Sequence, residues 1–333
     1  MANILVPHQV KSCEDQASNG SRSLQLEMRT LFLKASDNRW LRERGVRAPF
    51  VRRAVSRFMP GETFDDMLQA ARTLGSQGIA TVFTCLGENV TDLAEADAVA
   101  SHYLEGIDRI RSLGLACEPS VKPTQLGLDI DPNRARAHLM AIAQRAHDAG
   151  SYLWIDMEQS SYVGATLELT EELRSRYSGV GVCLQAYLHR TPADLNRMLR
   201  IGAGIRLVKG AYREPPTVAH ASKSDVDASY TVLSRAMIDD RARGGTSRLV
   251  LGTHDTRIIA AVCQHARAAR VPQRGYEFHM LYGIQRSEQT RLVTAREDIR
   301  VLIAYGSYWF PWYMRRLAER PANVWFVVRS VFG

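Results

Sequence analysis

The stretch LVLGTHDTRIIAAVCQHARAA, residues 249–269, decides the fold class because it holds one complete strand–turn–helix unit. The apolar run Leu249–Gly252 predicts a short buried strand, and the polar THD that follows it predicts a turn. Asp255 is a typical helix N-cap, and the apolar spacing behind it predicts a helix as far as Ala269. A buried strand followed directly by an amphipathic helix is typical of a parallel βα unit.

This unit repeats on both sides of residues 249–269. Seven further apolar runs predict strands at Ile79–Leu86, Leu115–Val121, Tyr152–Met157, Val180–Ala186, Ile205–Val208, Tyr276–Met280 and Val301–Ala304. Between these runs the pattern predicts helices at Asp92–Leu113, Pro132–Ala149, Thr170–Tyr177, Pro192–Ile201, Asp225–Arg243 and Arg286–Arg296. Typical cap residues and helix-ending glycines support these bounds, at Asp92, Asp131, Thr191, Gly114, Gly150, Gly202 and Gly244.

Eight alternating units predict an α/β protein whose parallel sheet closes into a (βα)8 TIM barrel. An open doubly wound sheet is the alternative, but no GxGxxG follows the first strand and the strand number favours the barrel. We expect residues 1–60 to form a helical, partly flexible N-terminal segment and residues 61–333 to form the catalytic barrel domain.

Composition and charge narrow the functional class. The chain is 45% hydrophobic and 23% charged, which is typical of a globular protein. It shows no membrane-length apolar run and no secretory signal, and its five scattered cysteines lack a CxxC, so we expect a cytoplasmic protein with reduced thiols. The net charge of +8 comes partly from arginines in residues 39–57, which suit a solvated face or an anionic bilayer. No aromatic stacking platform interleaves them, so nucleic-acid binding is not expected.

Polar residues concentrate where the predicted strands end, which is where a TIM barrel places its active site. Each one alone has a structural interpretation, but together they indicate one functional mouth, since burying unpaired charge is costly. His254 and His279 lie on neighbouring strands without a third metal ligand at recognisable spacing, so no metal is expected. The residues of the expected mouth are Glu88, Lys122, Asp156, Glu158, Gln185, Arg206, Lys209, Thr253, His254, Asp255, Glu277 and His279.

The last predicted helix carries a second group of candidates. Trp312, Arg315, Arg316 and Glu319 share one side of a helix because residues three or four apart are neighbours. Two guanidiniums beside an aromatic surface suit a small carboxylate ligand. The alternative is an amphipathic helix with an Arg–Glu pair on a solvated face.

Six segments in series resemble the monofunctional bacterial proline dehydrogenases. They are VKPTQLG (121–127), WIDME (154–158), RLVKGAYREP (206–215), GTHD (252–255), YEFHMLYGI (276–284) and YMRRLAERPANV (313–324). The resemblance implies a distorted (βα)8 barrel with N-terminal helices and a final helix over the barrel mouth. It also implies non-covalent FAD and the oxidation of L-proline to Δ1-pyrroline-5-carboxylate by hydride transfer to flavin N5.

The resemblance implies roles for individual residues. Lys122, Asp156, Arg315 and Arg316 match catalytic residues, with the arginine pair gripping the substrate carboxylate. Glu88, Leu281, Leu302 and Trp312 match further positions of the substrate pocket. The flavin-binding positions of the family match Gln185, Arg206, Lys209, Gly210, Ala211, Tyr212, Thr253, His254, Arg316 and Glu319. The chemistry agrees, because Lys122 and Asp156 suit proton handling and Arg206 near N5 would favour reduced flavin.

The chain departs from the family pattern in the pocket. Leu302 and Trp312 stand where the family usually has tyrosine, and His279 stands where it often has glutamine. The substrate is therefore expected to be L-proline or a close cyclic amino acid, with a substituted or six-ring imino acid as the alternative. The residues also allow a Schiff-base lyase that uses Lys122 or Lys209, or a scaffold protein with an inactive site. A quinone is the expected electron acceptor, with peripheral contact at the inner face of the membrane.

Overall fold

The protein contains a closed barrel of eight parallel strands, with each strand hydrogen-bonded to the next and β8 to β1. The structure is a computed structural model that describes residues 55–87 and 90–310, and Ser56–Tyr308 form one compact unit. The strands are β1 (Ala80–Cys85), β2 (Cys117–Val121), β3 (Leu153–Ile155), β4 (Val180–Gln185), β5 (Gly204–Val208), β6 (Leu249–Gly252), β7 (Glu277–Leu281) and β8 (Ile299–Tyr305).

Helices connect the strands and cover the outer face of the barrel. They are α1 (Phe64–Gly75), α2 (Leu93–Ser112), α3 (Pro132–Asp148), α4 (Val163–Arg176), α5 (Thr191–Arg200), α6 (Lys223–Ala242), α7 (Thr256–Ala268) and α8 (Arg286–Thr294). Short 3₁₀ helices lie at Pro123–Leu126, Ser160–Tyr162 and Gln273–Gly275. The (βα)8 prediction is confirmed. The predicted N-terminal helices and the final helix over the mouth lie outside the described residues.

Two helices and one cap differ from the prediction. The helix predicted at Thr170–Tyr177 begins at Val163. The sequence pattern does not show its first half, because Thr166 and Thr170 are buried on its inner face and interrupt the apolar period. Helix α1 is absent from the predicted elements. It begins with a capping box in which Thr63 Oγ1 accepts from Asp66 N (3.1 Å) and Asp66 Oδ2 accepts from Thr63 N (3.0 Å).

Thr191 is not the cap of α5 but its first helical residue. Its hydroxyl instead donates to the Gln185 carbonyl at 2.5 Å and so ties the start of α5 to the end of β4. Asp92, Asp131 and Asp255 do cap their helices, since each side chain accepts a backbone N–H of the first turn. The confirmed caps show that a short acidic residue before an apolar period is a reliable signal in this chain.

Side chains alternate between the two faces of each strand, so each strand contributes to two environments. The outward faces pack with the helices in one large hydrophobic core that includes Phe83, Ile155 and Phe278. Inside the barrel, Val82, Trp154 and Val250 form a separate small core, and Leu302 packs against it. The barrel interior is therefore filled rather than open, and polar groups lie above and below this apolar layer.

Two further predictions concern the chain as a whole. The division between residues 1–60 and 61–333 is not tested by the described residues and stays a prediction. Cys85, Cys117, Cys183 and Cys263 are free thiols, and Cys13 lies outside the described residues. Within residues 55–87 and 90–310, no helix is long and apolar enough to cross a membrane.

Candidate active site

The centre of the barrel mouth is an ion pair between Lys122 and Asp156. Lys122 follows β2 and Asp156 follows β3, and because these strands are adjacent and parallel, the two side chains meet. Lys122 Nζ lies 3.2 Å from Asp156 Oδ2, and the two side chains are only 11% and 16% exposed. The structure therefore brings these two predicted site residues together.

A third strand completes this group through Arg206 of β5. Its Nη2 atom donates to Asp156 Oδ1 and to Ser120 Oγ, the latter at 2.9 Å, and Ser120 Oγ donates to Asp156 Oδ1 at 2.9 Å. We call Ser120, Lys122, Asp156 and Arg206 the mouth cluster. It places two cations against one carboxylate.

The charge state of Asp156 follows from these neighbours. Burial alone would raise the pKa of Asp156, but the adjacent Lys122 and Arg206 outweigh burial and hold the pKa below its ordinary value. Asp156 is therefore an anion at neutral pH. It acts as a fixed negative charge that holds both cations at the mouth.

The Arg206 guanidinium is only partly satisfied. The residue is 3% exposed, and its Nη1 atom has no hydrogen-bond partner among the described residues. A buried guanidinium nitrogen without an acceptor is costly, so it marks a place where a ligand acceptor would be stabilised.

The rim formed by β3 and β4 holds Gln185 and Glu158. Gln185 Nε2 donates to the Glu158 carbonyl at 2.8 Å. The Glu158 carboxylate in turn accepts from Thr124 N at 3.1 Å and from Thr124 Oγ1 at 2.5 Å. Glu158 is thus an anchor that joins the loops after β2 and β3, and it orients Gln185 at the edge of the mouth.

Lys209 directly follows β5 and has carboxylates on both sides. Its Nζ contacts Asp227 Oδ1 and lies 3.3 Å from Asp255 Oδ2. The adjacent Gly210 has φ +117°, and a Cβ there would lie 2.2 Å from the Tyr187 ring. The chain after β5 therefore turns sharply where only glycine fits. Ala211 and Tyr212 follow this turn at the rim and are half-buried.

The ends of β6 and β7 meet through His254. Its Nε2 accepts the Leu281 N–H at 2.8 Å, so the neutral ring carries its proton on Nδ1. Thr253 is buried, and its Oγ1 accepts the Asp255 N–H at 3.1 Å. These two residues therefore hold the loop after β6 in place through hydrogen bonds within the protein.

Leu302 lies inside the barrel on β8. It pairs with Val82 of β1 and with Leu281 of β7, and it packs against the small inner core. The departure from tyrosine at this position thus places an aliphatic group, without a hydroxyl, between the inner core and the mouth.

Two residues assigned to the mouth by sequence lie elsewhere. Glu277 is the first residue of β7 and lies at the amino end of the barrel, and His279 is the third of the five residues of β7 and lies at its middle. Glu277 accepts from Arg248 Nε at 2.7 Å and pairs with Arg300 at 3.4 Å, and Glu118 pairs with the same two arginines at 2.9 and 3.1 Å. We call Glu118, Arg248, Glu277 and Arg300 the amino-end cluster. The structural interpretation of Glu277 is the correct one.

Five predicted site residues lie outside the described residues: Glu88, Trp312, Arg315, Arg316 and Glu319. Their assignments stay predictions. Sequence reasoning missed Ser120 and Trp154, which look like a small core residue and a large one. It also missed Glu118 and Arg248, although alternation along β2 and β6 puts both on the inner face and could have signalled them.

Fold and site together define a (βα)8-barrel protein whose mouth offers cations for an anionic ligand. The family model for proline dehydrogenase matches residues 67–329. Proline dehydrogenase 1 of Bacillus subtilis (strain 168) is 33% identical over 304 residues, covering 91% of this chain and 99% of that protein. The proline dehydrogenase of Deinococcus radiodurans is 34% identical over 282 residues, covering 83% of this chain and 89% of that protein.

The fold is also that of a solved structure. Proline utilization A from Bdellovibrio bacteriovorus superposes with a TM-score of 0.74 at 23% identity, over 81% of this chain and 33% of that chain. The chain belongs to the proline dehydrogenase family. The predicted family and the predicted enzyme class, an oxidoreductase acting on a CH–NH donor, are thereby confirmed.

Proposed function

We propose that this protein is an FAD-dependent dehydrogenase that oxidises L-proline, or a closely related cyclic amino acid, at the carboxyl end of the barrel. The observation that carries the proposal is the mouth cluster, where Lys122 and Arg206 converge on Asp156. Such a cluster offers positive charge to a carboxylate ligand and to a cofactor that gains negative charge. Family membership supplies the class of reaction.

The residues present fit a flavin. Arg206 Nη1 is a buried donor that lacks an acceptor among the described residues, and a flavin ring edge supplies acceptors. Gln185 ends β4 and Lys209 follows β5, so both lie near Arg206, and Gly210 allows close approach of the chain. We assign non-covalent FAD to the Gln185, Arg206, Lys209–Tyr212 and Thr253–His254 rim, with Arg316 and Glu319 as further proposed contacts. When bound, FAD accepts the hydride.

Lys122 and Asp156 bind and orient the substrate in this scheme. Because Asp156 stays anionic, it holds the Lys122 ammonium and the Arg206 guanidinium in fixed positions. The Lys122 ammonium then contributes a positive charge to the substrate carboxylate beside Arg315 and Arg316. Glu88, Leu281 and Trp312 are proposed to close the pocket. Positioning of this kind supplies much of the rate enhancement in hydride transfer.

A second substrate class is favoured by Leu302. An aliphatic side chain at this point of β8 cannot donate or accept a hydrogen bond, and it packs against Val82 and Val250. A pocket without that hydroxyl discriminates less against rings that carry an additional substituent or a sixth ring atom. A substituted or six-ring imino acid is therefore the alternative substrate.

The lyase alternative is disfavoured by the pairing of both lysines. A Schiff-base lysine must react as the neutral amine. Lys122 lies 3.2 Å from Asp156, and Lys209 contacts Asp227 and Asp255, so both lysine nitrogens are engaged in ion pairs. Beyond the substrate, we propose a quinone electron acceptor, a cytoplasmic location at the membrane periphery, and a division of the chain into an N-terminal segment, residues 1–60, and a barrel domain, residues 61–333.

The deciding experiment is an absorption spectrum of the purified protein, followed by anaerobic addition of L-proline and of ring analogues. A flavin band at about 450 nm that proline bleaches supports proline as the substrate. A band that only an analogue bleaches favours the second substrate class. A protein that contains no flavin and binds none on reconstitution would overturn the proposal.

A further inference from the structure

We propose that Trp154 is a positioning residue that fixes the plane of the Arg206 guanidinium at the centre of the barrel. The inference rests on the proposed function for its catalytic meaning, because Arg206 is there assigned to the flavin. The geometric part of the inference stands on its own. It concerns a side chain buried beneath the mouth, in a layer that neither the substrate nor the flavin assignment includes.

The contact is between the Trp154 ring face and the guanidinium. Arg206 Cζ lies 5.2 Å from the ring centroid, and Trp154 is fully buried while Arg206 is 3% exposed. A guanidinium over an indole face is the strongest form of cation–π pair, and removal from water strengthens it further. The two residues lie on β3 and β5 and both point into the barrel.

The hydrogen bonds of Arg206 do not fix the guanidinium by themselves. The hydrogen bonds to Asp156 and Ser120 both use the same atom, Nη2. A guanidinium held covalently at Cδ and by hydrogen bonds at Nη2 can still turn about the line through these two atoms. The ring face below Cζ removes this freedom, so it determines where the unpartnered Nη1 atom points.

Trp154 is itself held from below. Its Nε1 donates to Glu118 Oε2 at 2.9 Å, and Arg248 Cζ lies 5.3 Å from the ring centroid. The indole therefore joins the amino-end cluster to the mouth cluster through two different interactions. The amino-end cluster holds the ring in place, and the ring in turn holds the Arg206 guanidinium in place.

His279 lies in this arrangement without adding a further positive charge to it. Its ring meets the Trp154 ring edge to face at 5.4 Å. Burial lowers the pKa of His279 to about 4, although Glu277 beside it acts in the opposite direction. The imidazole is therefore neutral at physiological pH. Among the described residues linked in this network, four cations face three carboxylates: Lys122, Arg206, Arg248, Arg300, Glu118, Asp156 and Glu277.

The test compares Trp154→Leu, which removes the ring, with Trp154→Phe, which keeps a ring face but loses the N–H. Phe278→Leu is the matched control, because Phe278 is equally buried but lies on the outward face of β7. For Trp154→Leu we expect kcat to fall about tenfold with little change in KM. We also expect the flavin midpoint potential to become more negative, since a displaced Arg206 stabilises reduced flavin less. Trp154→Phe should recover most of both losses.

A second readout needs no flavin. The Arg206 Nε–H resonance, assigned by its loss in Arg206→Lys, should show an upfield ring-current shift in the native protein and lose it in Trp154→Leu. If Trp154→Leu keeps the native resonance position, kcat and potential while losing stability like Phe278→Leu, the ring is a structural core residue and the inference is wrong. A native protein without flavin would overturn the proposed function, whereas the resonance would still decide the inference.

Discussion

The mouth cluster and the amino-end cluster are built from similar groups but differ in charge balance. The amino-end cluster sets two guanidiniums, Arg248 and Arg300, against two carboxylates, Glu118 and Glu277, and each arginine contacts both carboxylates. The mouth cluster sets Lys122 and Arg206 against Asp156 alone. The charges of the first group balance without a ligand, whereas the second group has positive charge left over.

This difference separates a structural charge cluster from a functional one. A buried network whose charges balance adds rigidity but offers nothing to a ligand. A buried network with an excess cation and an open donor, as at Arg206 Nη1, is stabilised further when an anion or an acceptor arrives. Burial and hydrogen bonding alone do not distinguish the two ends of the barrel, but the count of charges does.

Replacing Asp156 should have the largest effect on activity. In Asp156→Asn the mouth loses its fixed anion, so Lys122 and Arg206 repel each other and leave their positions. We expect kcat/KM to fall roughly 1,000-fold, within the range for a removed catalytic group. Steady-state kinetics with the substrate that bleaches the flavin measure this. Glu172→Gln, which breaks the exposed pair with Arg136, is the control, and an equal loss there would contradict the assignment.

Replacing Arg300 tests the opposite end. Arg300→Met leaves two carboxylates facing Arg248 alone, and breaking a buried ion pair costs about 4 kcal/mol of unfolding free energy. Catalysis by the folded variant should stay within a factor of a few of the native value. Urea unfolding and kinetics on one preparation measure both. Arg134→Met, whose pair with Asp97 is half exposed, should lose little unfolding free energy, because water screens an exposed ion pair. A collapse of activity in stable Arg300→Met would contradict the division between the clusters.

The histidine between the clusters should make stability depend on pH. The pKa of His279 is lowered by burial to about 4, so between about pH 6.5 and pH 4 the unfolded chain binds a proton that the folded chain does not. The unfolding free energy should therefore fall by about 3 kcal/mol as pH drops through this window, with stability retained above it. His279→Gln should remove that part of the fall. Urea titrations of both proteins at pH 7 and pH 4.5 measure how far each unfolding free energy falls. An equal fall in the native protein and in His279→Gln would contradict the expectation.

The smallest effect is expected at the pocket wall. Leu302→Tyr, alone and with Trp312→Tyr, should raise kcat/KM for L-proline relative to the preferred ring analogue by about tenfold. The added phenol restores a hydrogen-bonding group that discriminates between rings. Leu302→Met keeps the volume without the hydroxyl and should leave the ratio unchanged. An unchanged ratio in the tyrosine variants would mean that Leu302 does not line the pocket.

Much of the barrel could be predicted because its strands are short apolar runs that end in polar turns. Leu249–Gly252 matches β6 residue for residue, and the bounds of Val180–Ala186 and β4 differ by one. The start of α4 could not be predicted from its apolar period, because Thr166 and Thr170 are buried in place of apolar residues. A threonine on an inner helix face is interpreted as exposed unless the packing is known.

The site could be predicted in part for a similar reason. Lys122, Asp156 and Arg206 are charged residues in apolar surroundings, and such residues stand out in any sequence. Glu277 stands out equally, but the sequence does not say that its partners are Arg248 and Arg300 at the other end of the barrel. Trp154 could not be found at all, since its role depends on which guanidinium lies over its face.

The pairing of β1 with β8 bears on how the protein is made. Six consecutive residue pairs join Ala80–Cys85 to Arg300–Tyr305. The partner of the first strand is therefore synthesised roughly 220 residues after it. At the ordinary rate of translation this interval lasts roughly 10–40 s. Throughout that time β1 has one uncovered edge, which is the kind of edge that pairs with other chains. The nascent chain is therefore most prone to aggregate, and most dependent on chaperones, until its last strand leaves the ribosome.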